Sequence, residues 1–147
     1  MSLDGYLWLG GAQGIRGEAK HYLYSDWLGV RGLTWGVRQD AAVNPTGSQT
    51  LPTADVDAFS FTHELDRASP GIFQACLQGR NIPEVRFVVL QPDTRGETYE
   101  RLRITFRNCL ITGVEVTAEG ASVSETVAIV FGEIDIQARP RPIDAGQ

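Results

Sequence analysis

The chain has 147 residues, of which 42% are hydrophobic and 21% charged, and its formal net charge is −5. That length suits a single domain, able to bury about 68–70% of its unfolded surface around one core. The acidic balance argues against a nucleic-acid binder, and Met1-Ser2-Leu3-Asp4 opens neither a basic leader nor a long apolar run, so no secretory signal and no membrane-inserted segment is expected.

Leu3 to Leu9 reads as a first strand, closed by Gly10-Gly11. The glycines at 10, 11, 14 and 17 invite comparison with a phosphate-binding loop, but the Gly-x-Gly-x-x-Gly spacing is absent and no amphipathic helix follows. A glycine-rich turn is expected instead, leading through Gly17 to His21 into the aromatic stretch Tyr22–Leu28, which periodicity leaves ambiguous. Val30 to Gln39 then alternates, with Leu33, Trp35 and Val37 on one side and Thr34, Gly36 and Arg38 on the other.

Asp40 to Asp55 breaks the pattern. It holds Asn44-Pro45-Thr46-Gly47-Ser48-Gln49 and Pro52, and it is polar and aperiodic. Connections of this length are uncommon in compact domains unless functional or disordered. They add little to a core, so contacts outside its own barrel are expected of it.

Val56 to Leu65 resumes the alternation, placing Phe59, Phe61, His63 and Leu65 on one face. Asp66 to Gly79 supplies the one convincing helix. Ser69 suits the N-cap, Pro70 the first helical position and Gly79 the left-handed stop. Ile72, Phe73, Cys76 and Leu77 form its apolar stripe. A helix this short is marginal in isolation, so it is expected to pack as a lid on a β core.

Val85 to Gln91 is apolar on both faces, as in a strand covered on two sides. Pro92 to Glu97 is turn chemistry, pairing it with Tyr99–Arg107 as a hairpin. In the latter, Leu102, Ile104 and Phe106 face the core, which leaves Arg101, Arg103 and Arg107 outside. Leu110 to Val116 continues with Gly113 as a candidate bulge, and a further turn falls at Glu119-Gly120. Val127, Ile129 and Phe131 then change phase to Ile134 and Ile136, and a bulge at Gly132-Glu133 would return both sets to one face. The tail from Gln137 to Gln147 is expected to be flexible. Six or seven strands and one short α-helix make a mainly β fold, an antiparallel β-barrel or sandwich in one domain spanning 1–147.

No local pattern assembles an enzyme, a metal centre or a cofactor site. A strand puts His63 and Glu64 on opposite faces, and no His-x-x-x-His or Cys-x-x-Cys is present. Cys76 and Cys109 read as free buried thiols, and His63 as a satisfied interior or interface histidine. The residues alone leave open a subunit of an assembly or a small-ligand-binding β-barrel module.

Several segments together resemble the haemolysin-coregulated protein (Hcp) family of type VI secretion systems. They are Asp4-Gly5-Tyr6-Leu7-Trp8-Leu9, Ile15-Arg16-Gly17-Glu18, Thr34-Trp35-Gly36-Val37-Arg38-Gln39, Phe59-Ser60-Phe61-Thr62, Asp66-Arg67-Ala68-Ser69-Pro70 and Glu100-Arg101-Leu102-Arg103-Ile104-Thr105-Phe106. The resemblance runs from about Asp4 to Ile136; the aromatic Lys20–Leu28 departs from it. It implies a non-enzymatic β-barrel subunit that closes hexameric rings, stacks them into a tube and carries effectors in the lumen. The partners it implies are further copies of the chain, a contractile sheath, a spike tip protein and cargo. Export from the cytoplasm would need no signal peptide. On this reading the 40–55 loop is an extended projection to the neighbouring subunit or ring. Asn44, Thr46, Ser48 and Gln49 would hydrogen-bond across the junction, and Pro45 and Pro52 would stiffen it. Arg101, Arg103 and Arg107 would line the lumen or a subunit seam.

Overall fold

The structure is a computed structural model that describes residues 3–10, 15–39, 42–43, 47, 49–50 and 55–140. In chain order the elements are β1 (Gly5–Gly10), β2 (Leu28–Val30), β3 (Gly32–Thr34), β4 (Val37–Arg38), β5 (Ala42–Val43), β6 (Gln49–Thr50) and β7 (Asp55–Val56). They continue with β8 (Phe59–Glu64), α1 (Ser69–Gln78), β9 (Ile82–Pro92), β10 (Thr98–Glu119) and β11 (Ser122–Ala138). Seven strands form one antiparallel sheet in the order β2-β1-β9-β10-β11-β8-β3.

The two edges of that sheet are neighbours in sequence. Only Arg31 separates β2 from β3, and its N–H donates to the Thr62 carbonyl at 2.8 Å. One bend therefore carries the chain from the β1 edge to the β8 edge and draws the sheet into a nearly closed barrel. Period-two alternation fills it. Leu7, Leu9, Phe59, Phe61, Val85, Phe87, Ile104, Phe106, Val127 and Ile129 are all buried. Phe59 lies at the centre, its ring 4.8 Å from Phe106 and 5.5 Å from Phe87. Truncating such a phenylalanine to alanine costs about 3–5 kcal/mol.

Strand β9 is covered on both faces, as its composition requires. Val85 and Phe87 enter the barrel, while Val88 and Leu90 are sealed from outside by Tyr24, with Tyr6 and Trp27 packed alongside. The segment 21–27 is thus an aromatic strap: Tyr24 stacks on Tyr6 at 5.2 Å and meets Trp27 edge-on at 4.9 Å. Gly17 N–H donates to the Asp26 carbonyl at 2.8 Å and Ala19 N–H to that of Trp27 at 2.9 Å. A Cβ at Gly17 would sit 2.3 Å from the Trp27 carbonyl oxygen, so only glycine allows this approach.

Several expectations are corrected. The run 30–39 is not one strand: it kinks at Arg31 to close the barrel and ends as β4, where Val37 is exposed. The helix is capped by Ala68 without a side-chain bond. Ser69 Oγ instead accepts the Asp66 N–H at 3.1 Å, and Asp66 Oδ1 accepts the Ala68 N–H at 2.8 Å, so the side chains of this turn are spent upstream of the helix. Gly79 is left-handed as expected, with φ 60°, and the Arg80 N–H closes onto the Ala75 carbonyl at 3.0 Å. The buried face of α1 is Ser69, Ile72 and Ala75, whereas Phe73 and Leu77 are 48% and 67% exposed. Small residues let the helix approach the sheet closely, and the bulky pair is turned outward.

Strands 99–107 and 110–116 are one strand, β10, interrupted but not ended by Asn108 at φ 56°. A register shift between Ile111 and Gly113 makes the bulge expected near Gly113. The change of phase on β11 needs no bulge of its own. Arg107 pairs with Glu133 and Cys109 with Phe131, so Asn108 and Gly132 lie opposite one another and both strands change face together. Ile134 and Ile136 consequently stand opposite Phe106 and Ile104, yet they are 38% and 47% exposed. Finally, β11 runs to Ala138, and Arg139 N–H donates to the Arg101 carbonyl at 3.0 Å, so the strand outlasts the expected start of the tail.

Candidate assembly interface

The 40–55 loop is more regular than its composition foretells. Val37 and Arg38 pair with Val56 and Asp55, and Ala42 and Val43 pair with Thr50 and Gln49. Both ladders are antiparallel; the first joins the two ends of this segment and the second lies within it, and the segment is called the arm below. Its root is apolar and uncovered, with Val37 62% and Val56 54% exposed. Of the junction residues expected here, Gln49 lies in β6, described by its backbone, and Asn44, Pro45, Thr46, Ser48 and Pro52 lie outside the described residues.

Strand stagger creates a second feature. On its side away from β11, β10 pairs with β9 only as far as Cys109. On its side away from β10, β11 pairs with β8 only from Ser124 to Ile129. Among the described residues, two backbone edges therefore lack a partner: β10 from Leu110 to Glu119, and β11 from Val130 to Ala138. Leu110 and Val116 on the first are exposed, as are Val130, Ile134 and Ile136 on the second.

The three arginines of β10 do not act as one stripe. A register shift between Glu100 and Leu102 bulges Arg101, whose guanidinium donates to the Arg139 carbonyl. The same shift puts Glu100 and Arg103 on one face, where Arg103 is clamped at 2.8, 3.0 and 3.1 Å. The carboxylate bonds hold the Arg103 pKa above its ordinary value, against the opposing effect of burial. Arg107 lies 3.7 Å from Glu84, which also meets Arg86 at 2.6 Å, and Arg86 in turn sits 4.6 Å over the Trp8 ring. This outer face is a neutralised network more than a free cationic surface. Next to it, burial and the neighbouring Asp4 push the Tyr6 phenol up to about 12.

Two motifs far apart in the chain meet at the head of α1. Arg67 Nε donates to the carbonyls of Arg16 at 3.2 Å and Gly17 at 3.0 Å, and its guanidinium pairs with Asp26. Glu18 Oε2 accepts the Arg67 N–H at 3.3 Å, and Asp66 Oδ2 accepts the Glu18 N–H at 3.2 Å. This knot ties the Ile15–Glu18 segment, the aromatic strap and the helix together. It is a positioning device with no reacting group.

His63 is interior, 1% exposed, with Nε2 2.7 Å from Oε1 of Glu125, itself 2% exposed. Glu125 was legible in principle, because it keeps the parity of Val127 and Ile129 and so places a carboxylate on the core face. Both cysteines are free, and burial raises the Cys109 thiol to about 11.

Comparison with known proteins places this geometry. The family model described as "Type VI secretion system effector, Hcp" matches residues 6–137. The chain is 22% identical over 149 residues to Protein hcp1 of Pseudomonas aeruginosa, covering 100% of this chain and 90% of that protein. Among solved structures, Hcp1 from Salmonella typhimurium superposes with a TM-score of 0.76 at 23% identity, over 94% of this chain and 87% of that one. A type VI secretion system effector from Yersinia pestis superposes with a TM-score of 0.74 at 25% identity, over 92% and 88%. A barrel closed at Arg31, one lid helix among the described residues and a family match across almost the whole chain lead to one assignment: the protein belongs to the Hcp family of type VI secretion proteins.

Proposed function

We propose that this chain is a structural subunit of the type VI secretion inner tube, closing hexameric rings that stack and carry effectors in their lumen. The observation that carries the reading is the pair of unpartnered strand edges on β10 and β11, with exposed apolar side chains on both. Long uncovered edges are a liability in a free monomer. Two different edges on one chain satisfy each other through a heterologous contact, which closes into a ring when the rotation permits. The 40–55 arm adds a contact that leaves its own barrel, toward a neighbouring subunit or the next ring. The contractile sheath, the spike tip and cargo are the further partners of such a tube, which leaves the cytoplasm by firing and not through a signal peptide.

Replacing residues 40–54 by a short Gly-Ser link tests the role of the arm. The barrel should keep its thermal melt while rings or tubes disappear from electron micrographs. A shortened protein that stacks like its parent would remove the arm from the assembly.

A further inference from the structure

Residues 17–27 close on themselves. Gly17 N–H donates to the Asp26 carbonyl at 2.8 Å and Ala19 N–H to the Trp27 carbonyl at 2.9 Å, so two bonds join the ends of this loop. Inside it, the Tyr24 and Trp27 N–H groups donate to the His21 and Tyr24 carbonyls, both at 3.0 Å, and the Leu23 N–H donates to His21 Nδ1 at 3.2 Å. Among the described residues, no backbone group from Lys20 to Asp26 bonds to a strand. This is the pattern of an Ω-loop, with adjacent ends and its own side chains packed within. It lies over the outer face of β9, where Tyr24 seals Val88 and Leu90.

One side chain from outside the loop grips both of its ends. At the entrance, Arg67 Nε donates to the carbonyls of Arg16 at 3.2 Å and Gly17 at 3.0 Å; at the exit, the guanidinium pairs with Asp26. Asp26 is itself left-handed, at φ 68°, a conformation that persists in a residue other than glycine only where its surroundings hold it. A planar guanidinium can make this double grip, whereas an ammonium is a single point charge. The Arg67 and Asp26 side chains are 54% and 51% exposed, so the clasp stands open to water. Backbone bonds that are the loop's own and a solvent-exposed polar tether are the features of a segment that opens locally.

We propose that residues 17–27 are a cap that opens as one unit while the barrel stays folded, and that Arg67 is the latch that keeps it shut. Arg67 is a positioning residue, acting through the two ends of the loop. Shut, the cap leaves Val88 and Leu90 0% and 5% exposed; open, it bares them beside Tyr6 as an apolar strip on the outside of β9. The latch thus sets how often that face meets solvent. The device belongs to the single chain and is independent of ring closure.

Hydrogen exchange read by mass spectrometry on the full-length protein, at one fixed concentration, tests this. Arg67→Met should speed exchange in peptides within 17–27 by about tenfold or more, the factor expected for losing hydrogen bonds to a charged group, with peptides of β9 and β10 unchanged. That unchanged protection verifies in the same measurement that the variant folds. Arg67→Lys keeps the charge but not the fork, and should open the cap nearly as far. Asp26→Asn keeps a side chain that tolerates the left-handed backbone and removes only the ion pair, so the same peptides should speed up by a smaller factor. Arg38→Met, which removes the pair with Asp57, is the control and should leave the loop at the parental rate. Acceleration of β9 and β10 together with the loop would mean one cooperative unit and overturn the proposal. Parental exchange of the loop in Arg67→Met, parental protection in Arg67→Lys, or equal acceleration by Arg38→Met would overturn Arg67 as the latch.

Discussion

Ile72→Ala against Leu77→Ala tests the orientation of the lid helix most sharply. Both residues belong to the apolar stripe legible in the sequence, but Ile72 is fully buried and Leu77 is 67% exposed. Removing three carbons from a sealed site costs about 2–5 kcal/mol. Here the neighbours facing the sheet, Ala68 and Ala75, are too small to collapse into the gap, so the upper part of that range is expected. Burying a whole leucine side chain is worth about 1.5–3 kcal/mol, so the third that Leu77 covers amounts to about 0.5–1 kcal/mol. Urea denaturation followed by circular dichroism separates these values, at one fixed protein concentration because association stabilises by mass action. A Leu77→Ala deficit that appears only at high concentration would mean the outer face is used between chains. Equal losses for both variants in the dissociated chain would refute the orientation of α1 described above.

Glu100→Gln releases Arg103 from a clamp whose side chains are 16% and 33% exposed, and about 1 kcal/mol of stability should go with it. Arg107→Gln removes the longer contact to Glu84 while leaving Arg86 paired, and with the arginine half-exposed the loss should be within about 0.5 kcal/mol by the same urea melts. Cys109, with its thiol raised to about 11, should resist alkylation in the folded protein near pH ~8 and react only on unfolding, as mass spectrometry of the peptides would reveal. Tyr6 gives a pH signature. Its folded pKa of about 12 lies above the ordinary 10.0, so below pH 10 the proton is held in both states, and between 10 and 12 only the unfolded chain releases it. Stability should therefore fall across that window, and Tyr6→Phe should flatten the slope in melts repeated at alkaline pH.

Alternation made the barrel legible. Phe59 and Phe61, Ile104 and Phe106, and Val127 and Ile129 face the core as period two requires. What it could not reveal is where strands begin to pair differently. The break at Arg31 has the same local pattern as a continuous strand, and only closure of the sheet, a contact between distant segments, distinguishes it. Asn108 and Gly132 change phase together because each sits opposite the other, a relation that neither strand carries alone. Helical spacing placed Ile72, Phe73, Cys76 and Leu77 on one stripe but not its bearing on the sheet, which Ala68 and Ala75 decide by allowing close approach. Turn-forming prolines and polar side chains in 40–55 hid the short ladder of Ala42–Val43 with Gln49–Thr50, which rests on backbone groups that every residue type but proline supplies in full. The arginines of β10 were found on the correct strand, whereas their partners Glu84 and Glu100 depended on a bulge and a register set elsewhere.

Ring closure is the central claim, and light scattering coupled to gel filtration tests it most directly. The account predicts a stable species at about six times the 16.1 kDa chain mass at micromolar concentration in near-physiological salt. A monodisperse species at 16.1 kDa under those conditions would contradict it.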